Sequence, residues 1–301
     1  MPCITYDERM SVDGVASLSP SASKPRRFHE VLMHYSRFET VHGTLGFSPV
    51  TIDDLKRVHD GDYVDGVFAG TINNGFGTRD ERIPHACLWT VGSMVRALDV
   101  ASMHPGSTVC SPSSGFHHAG YSEGGGFCTF NGLLVAAQLY LDKHPDHKVG
   151  IIDCDVHYGD GTDDILKHKP GLAAHVVHCT SGKHFHEDTD RFEFFHWLQE
   201  SINAVNDQGC NAVIYQAGAD MHKDDPLGGF LGDADMALRD RMVFDGVLGG
   251  VAWNLAGGYR DSRGSKFGDP VLNTHLRTFR EAIQVGKNTR WPRVRDGRSA
   301  A

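Results

Sequence analysis

The sequence predicts an α/β fold, a single three-layer domain over residues 1–301 with a mostly parallel central sheet and helices on both faces. Apolar runs of strand length alternate with amphipathic segments of helix length along most of the chain. Runs such as Val149–Ile152 and Val251–Ala256 are continuously apolar, which suits strands buried on both sides. Polar or glycine-rich loops follow Ser111, Ile152, Gln216 and Ala256, at the carboxyl ends of predicted strands, where open parallel sheets collect their functional residues.

The elements follow in order. Cys3–Tyr6 reads as a short strand, and the Ser-rich stretch up to Ser23 as a loop with little structure of its own. Lys24–Phe38 resumes helical spacing, with Phe28, Val31, Leu32 and Tyr35 on one face. Thr51–His59 is a short helix capped by Thr51, with Asp53 and Asp54 in its first turn. Asn73–Asp80 is a glycine-punctuated loop long enough to form part of a rim. Leu88–Met103 is a helix stopped by Pro105-Gly106, and Ser107–Ser111 is the next strand. Asn131–Leu141 is a helix, Val149–Ile152 a strand, Ala173–His178 a strand and Arg191–Asn206 a helix. Asn211–Gln216 is a strand, Met236–Leu248 a helix, Val251–Ala256 a strand and Val271–Ile283 the last helix. The tail Gly286–Ala301 carries Lys287, Arg290, Arg293, Arg295 and Arg298 against Asp296, and reads as a solvated terminus or an arm to another subunit.

Composition narrows the function. With 40% apolar and 22% charged residues among 301, the chain is long enough and apolar enough for a sizeable core. A net charge of -9 argues against general nucleic-acid affinity. The seven cysteines are scattered and contain no CxxC pair, which argues against disulfides and a thiolate zinc knuckle. No signal-peptide pattern opens the chain and no run approaches a membrane span, so a cytoplasmic location is expected.

The chemistry centres on Gly150–Thr162, GIIDCDVHYGDGT, where an apolar strand ends in Asp153, Asp155 and His157. Alternation puts these three side chains on one side, and unpaired buried charge is expensive. A divalent metal would compensate it; ordinary hydrogen bonds within an Asp–His pair are the other reading. The loop after Ser111 carries tandem His117 and His118, suited to proton handling or to local hydrogen bonding. The loop after Gln216 carries Asp220, Asp224 and Asp225, as metal-site acids or as turn residues and caps. Gly257 and Gly258 would let Tyr259 lean into a pocket, although such a tyrosine also serves packing.

Together the motifs HHAGYSEGGGFCTFN, DCDVHYGDGT, GADMHKDDPLGG and GGY resemble those of the histone deacetylase family of metal-dependent amidohydrolases, in the arginase/deacetylase fold group. Weaker similarity covers the chain from Pro25 to about Ile283. The resemblance implies that Asp155, His157 and Asp220 hold one zinc, with ferrous iron as the alternative. It implies His118, paired with Asp160, as general base, and His117, paired with Asp153, as an electrostatic histidine. It implies Tyr259 as donor to the developing oxyanion, and Gly126, Phe127, Phe185 and Leu227 as walls of a tube for a lysine-like chain. Asp80 would grip substrate backbone, and Arg27 would match an arginine behind the site. A structural potassium is implied beside Asp153 and the segment His175–Thr180, although Val176 and Val177 offer no hydroxyl there. The family commonly has a second histidine where this chain has Tyr158, so a change near the base of the site is expected.

The implied reaction is zinc-dependent removal of acetyl or other acyl groups from lysine side chains or small acylated amines. An acetylpolyamine deacetylase and a catalytically silent binder of acyl amines are the alternatives. The DxDxH order here, against the DxHxD order of the manganese ureohydrolases, favours one metal and amide hydrolysis. The implied partners are an acetylated lysine peptide or a small acylamine, with no nucleic acid and no membrane. A homo-oligomer is compatible with the sequence.

Overall fold

A computed structural model describes residues 2–15, 17, 19–36, 43–186, 189–261 and 265–288. Its centre is one six-stranded sheet in the order β1-β2-β6-β5-β3-β4. The strands are β1 (Cys3–Ile4), β2 (Thr108–Cys110), β3 (Val149–Asp153), β4 (Val176–Thr180), β5 (Ala212–Gln216) and β6 (Gly250–Asn254). Every neighbouring pair is parallel. The predicted mostly parallel sheet is therefore wholly parallel among the described strands.

Helices cover both faces. Alternation along the central strands sends Ile151, Ile214 and Ala252 to one core and Ile152, Val213, Tyr215 and Trp253 to the other. The first core is closed by α2 (Ile52–Lys56), α3 (Gly61–Phe68), α4 (Arg82–Ser102) and α5 (Gly132–Lys143), through Leu55, Val64, Leu98 and Leu133. The elements between β3 and β4 are α6 (Asp160–His168) and α7 (Pro170–Ala173). The second core is closed by α1 (Lys24–Ser36), α8 (Arg191–Asp207), α9 (Asp233–Gly246) and α10 (Pro270–Asn288), through Phe28, Leu198, Phe244 and Phe279. Each fully buried side chain of this size contributes about 1.5–3 kcal/mol by leaving water.

Register decides where function collects. Asp153 lies level with Thr180 on one side and Gln216 on the other, and Gln216 with Asn254. The carboxyl ends of four strands thus finish on one line, and their loops open on the same edge.

Several boundaries differ from expectation for local reasons. β4 begins at Val176 rather than Ala173, because Pro170 at a first helical position starts α7 there. α3 was not foreseen in the sequence; the Asp60 side chain caps it by accepting from the amides of Asp62 and Tyr63. α6 starts inside the glycine-rich GDGT, whose glycines hide the helix in the pattern. Pro20–Ser23, expected to lack structure, forms a 3₁₀ turn capped by Ser19. The basic tail beyond residue 288 lies outside the described residues, as do its arginines. No helix among the described residues is long and apolar enough to cross a membrane.

A buried histidine gives the fold a specific acid sensitivity. His59 Nδ1 donates to the carbonyl of Gly120 at 2.8 Å, and its Nε2 accepts from the amide of Asn131 at 2.9 Å, so the site demands a neutral ring. Burial, only partly offset by its backbone hydrogen bonds, pushes its pKa down to about 4. The unfolded chain therefore takes up a proton between about pH 6.5 and 4 that the folded chain refuses, and stability is lost as pH falls through that window. Urea denaturation at pH 7 and pH 4.5 is expected to show wild type losing about 2 kcal/mol more than the non-titrating His59→Gln variant.

Candidate active site

Two buried loops bring two carboxylates face to face. Asp155 and Asp220, 2% and 0% exposed, follow the ends of β3 and β5. His157 Nδ1 stands 3.0 Å from Asp155 Oδ1 and 3.1 Å from Asp220 Oδ2. One ligand atom from each of these three residues lies within 4.8 Å of the others. The fourth loop crosses directly over Asp220. A Cβ on Gly257, whose φ is +54°, would fall 2.3–2.5 Å from the Asp220 carboxyl group, so only glycine fits.

This donor set could hold a metal ion. Burial opposes the charge on Asp155, yet His117 and His157 outweigh it and hold its carboxyl well below the usual range. Burial and the Asp155 charge push Asp220 the other way. Burial disfavours charge on His157 too, but hydrogen bonds to both carboxylates push it up to about 11. In the protein alone, a proton on His157 does the neutralising that a divalent ion would do better. Two oxygen donors and one nitrogen suit zinc or ferrous iron, and His157, 32% exposed at its side chain, keeps the group open to solvent.

The two tandem histidines differ sharply. His117 is 2% exposed and its Nδ1 donates to Asp153 Oδ2 at 2.8 Å, with Nε2 3.8 Å from Asp155 Oδ1. Burial opposes its charge, but Asp153 and Asp155 overcome that and push it up to about 9. His118 lies nearer the surface, its Nδ1 2.7 Å from Asp160 Oδ1. A carboxylate only accepts, so the proton sits on Nδ1 and Nε2 keeps its lone pair. Burial and the neighbouring His117 lower the His118 pKa despite Asp160. The two environments therefore push the neighbouring imidazoles in opposite directions.

Tyr259 completes the arrangement. Its ring centroid is 6.0 Å from that of His157 and 5.9 Å from that of Phe127. Burial, reinforced by Asp155 and Asp220, pushes the phenol well above its ordinary range and keeps it a donor. Its amide donates to Asp225 Oδ2 at 2.7 Å, while Asp225 Oδ1 accepts from the amide of Leu227. Asp225 is thus a turn residue that also fastens the Tyr259 loop. Phe127, with φ +65°, holds a backbone conformation rare for a non-glycine residue, at a cost of about 1–3 kcal/mol, beside the cavity it lines.

The substrate-wall residues divide. Gly126 and Phe127 line the inner cavity with His117, Asp155 and Tyr259. Leu227 lines the open groove at the mouth with His118, His157, Tyr158 and Asp160. Phe185 lines neither. It is buried against Phe194 and Trp197, both at 5.8 Å between centroids, and its neighbour His186 faces the groove instead. Asp80 pairs with Arg82, which donates to its carboxylate through Nε at 2.9 Å and Nη2 at 2.5 Å.

Arg27, expected behind the site, has a carboxylate partner of its own. It pairs with Asp269 at 2.7 Å, tying α1 to the start of α10. Lys24, one turn earlier, is buried and donates to the carbonyls of Leu255 at 3.0 Å and Gly257 at 2.6 Å, beneath the loop that carries Tyr259. Burial pushes its pKa down to about 8, against the pull of Asp220 and Asp155. Lys24→Met, similar in length, would strand both carbonyls, and urea denaturation is expected to show a loss of about 2–4 kcal/mol.

Other residues were missed for lack of any local signal. Gln216 donates through Nε2 to Asp153 Oδ1 at 3.1 Å and accepts the Phe116 amide through Oε1 at 3.2 Å, locking Asp153 to the histidine loop. Ser181 donates to the carbonyl of Asp155 at 2.8 Å, and the Thr180 hydroxyl lies 3.4 Å from Asp153 Oδ2. The hydroxyl of Thr180 therefore does stand beside Asp153, at the end of the segment whose valines lack one. The Tyr158 hydroxyl donates to Asp163, which also accepts His178 Nδ1 at 2.8 Å.

A family model described as the histone deacetylase domain matches residues 21–192, more than half of the chain. An uncharacterized protein of Picosynechococcus is 27% identical over 68% of this chain and 75% of its own length. Acetylpolyamine amidohydrolase 2 of Pseudomonas aeruginosa is 28% identical over 44% of this chain and 44% of its own. Histone deacetylase 7 of Homo sapiens is 27% identical over 65% of this chain and 20% of its own, so the match spans under half the length of each of these two relatives. In structure, the HDA15 HD domain superposes with a TM-score of 0.72 at 20% identity, covering 95% of this chain and 90% of that one, which shows a shared fold. Asp220 and Tyr259 fall outside the stretch the family model matches, and the fold brings both to the residues inside it. The chain belongs to the histone deacetylase domain family.

Proposed function

We propose that this chain is a metal-dependent amidohydrolase whose sheet and helices act as one catalytic domain, removing acetyl or another acyl group from a lysine side chain or a small acylated amine. The observation that carries this reading is the convergence of Asp155, His157 and Asp220 beside two carboxylate-paired histidines and a buried phenol. Asp155, His157 and Asp220 would hold the ion, with zinc favoured and ferrous iron the alternative. Bound there, it supplies Lewis acidity to the amide carbonyl and lowers the pKa of water.

The chain's own groups do the rest. Nε2 of His118 takes the proton from the attacking water, with Asp160 holding the opposite nitrogen and steadying the imidazolium that forms. Tyr259 donates its hydroxyl proton in a hydrogen bond to the oxygen that gains charge. His117, held cationic by Asp153, adds a fixed positive field beside that oxygen. When the C–N bond breaks, a histidine returns the proton to the departing nitrogen, so water and amide become carboxylate and amine. Phe127 and Gly126 exclude solvent from the inner cavity. Asp153 with the Asp155 carbonyl and the Ser181 hydroxyl would suit a structural potassium.

A polyamine substrate is the second reading, favoured by the carboxylate of Asp160, 61% exposed at the mouth, which would attract a cationic chain. A panel of acetyl-lysine peptides, acetylated polyamines and longer acyl-lysines, run with and without a hydroxamate chelator, separates the two. Chelator-sensitive release from one class supports the mechanism and names the substrate. Zinc binding with every acyl amine left intact would sink the proposal and favour a silent binder.

A further inference from the structure

α9 buries a charged pair that the proposed reaction does not use. Arg239 and Asp240 are 0% and 1% exposed. Asp240 Oδ1 accepts from Arg239 Nε at 3.0 Å and Nη2 at 2.8 Å, and from the Tyr215 hydroxyl at 2.5 Å. Its Oδ2 accepts from Thr278 at 2.6 Å. One edge of the guanidinium is therefore anchored to β5 and α10 through a single carboxylate.

The other edge points at the roots of the metal loops. Nη1 donates to the carbonyl of Gly218 at 2.6 Å and lies 3.4 Å from that of Cys154. Cys154 immediately precedes Asp155, and Gly218 stands two residues before Asp220. The two loops touch at this point, where the Gly218 amide donates to the Cys154 carbonyl at 3.2 Å. A Cβ on Gly218 would fall 2.5 Å from Asp155 Cα and 2.7 Å from Asp220 Oδ1, so the two loops approach too closely here for any side chain. A buried ion pair is weak support for stability alone, because desolvation offsets attraction. A planar fork with donors on two edges is suited to fixing the distance between two backbone segments.

We propose that Arg239 is a positioning residue that clamps the Cys154 and Gly218 carbonyls together, sets the separation of Asp155 and Asp220, and thereby sets metal affinity. The inference rests on the metal site proposed above. A lysine at this position keeps the charge but cannot donate along both edges, so it is a partial substitute at best.

The test is the zinc dissociation constant, measured by competition with a chromophoric chelator, alongside thermal unfolding of each metal-free protein. Arg239→Lys is expected to weaken zinc by about tenfold or more, as loss of groups that orient metal ligands commonly does. Thr278→Val removes one donor from the far oxygen of Asp240 and leaves the hydrogen bonds of Arg239 in place, so it is expected to lower the melting temperature with zinc affinity unchanged. Equal melting losses in both variants with unchanged zinc affinity would make Arg239 merely structural and overturn the proposal. Should Arg239→Lys fail to fold, Arg239→Gln carries the test, since its single amide cannot hold the Asp240 carboxylate and the two loop carbonyls together; undiminished zinc binding there overturns the clamp. Absence of zinc binding by wild type overturns the metal site itself and the clamp with it.

Discussion

Replacing His118 with alanine is expected to lower kcat by about 10²–10⁴-fold while leaving the affinity for a non-hydrolysed acyl amine nearly unchanged. The reason lies in the division between the tandem histidines. His118 is the one with a lone pair directed away from its carboxylate and a pKa lowered by burial and by His117. His117, raised by Asp153 and Asp155, holds its proton and makes a poor base near neutrality. Steady-state kinetics together with calorimetric titration of a substrate analogue check this. A silent binder would show no turnover to lose, and a variant with full turnover would remove His118 from the base position.

The second large effect concerns the ion. Asp220→Asn keeps the volume of the side chain but removes one of the two carboxylates facing His157, and metal content after dialysis is expected to fall to a small fraction of wild type. The fold should survive, because the variant relieves the repulsion that pushes Asp220 up beside Asp155. Elemental analysis and circular dichroism measured on the same sample separate loss of metal from loss of structure. Retention of a full equivalent of zinc by the variant would mean that Asp220 is not a ligand.

The part of this site legible in the sequence is the part made of residue types that strand ends do not bury without reason. Asp153, Asp155 and His157 close an apolar run, and parallel topology alone predicts that loops after β3, β5 and β6 meet. The alternation that sends Ile151 and Ile152 to opposite cores was visible for the same reason. What could not be read are contacts between residues far apart in sequence. Lys24 reaches carbonyls more than 230 positions away, and nothing in its neighbours distinguishes it from Arg27, which turned to Asp269. Phe185 was expected in the substrate wall from the family resemblance, yet it packs against Phe194 and Trp197. Asp80 pairs with Arg82, two residues along, a contact the sequence reading did not include. Arg239 and Asp240 look like surface charges on a helix, and only the tertiary fold shows them buried.

The measurement that tests the central claim most directly is reconstitution of metal-free protein with zinc, followed by release of acetate from whichever acylated amine the panel selects. Activity rising in proportion to added zinc and levelling at one equivalent is the predicted result, with no rise for Asp220→Asn. Undiminished hydrolysis by protein from which elemental analysis finds no metal would contradict the account.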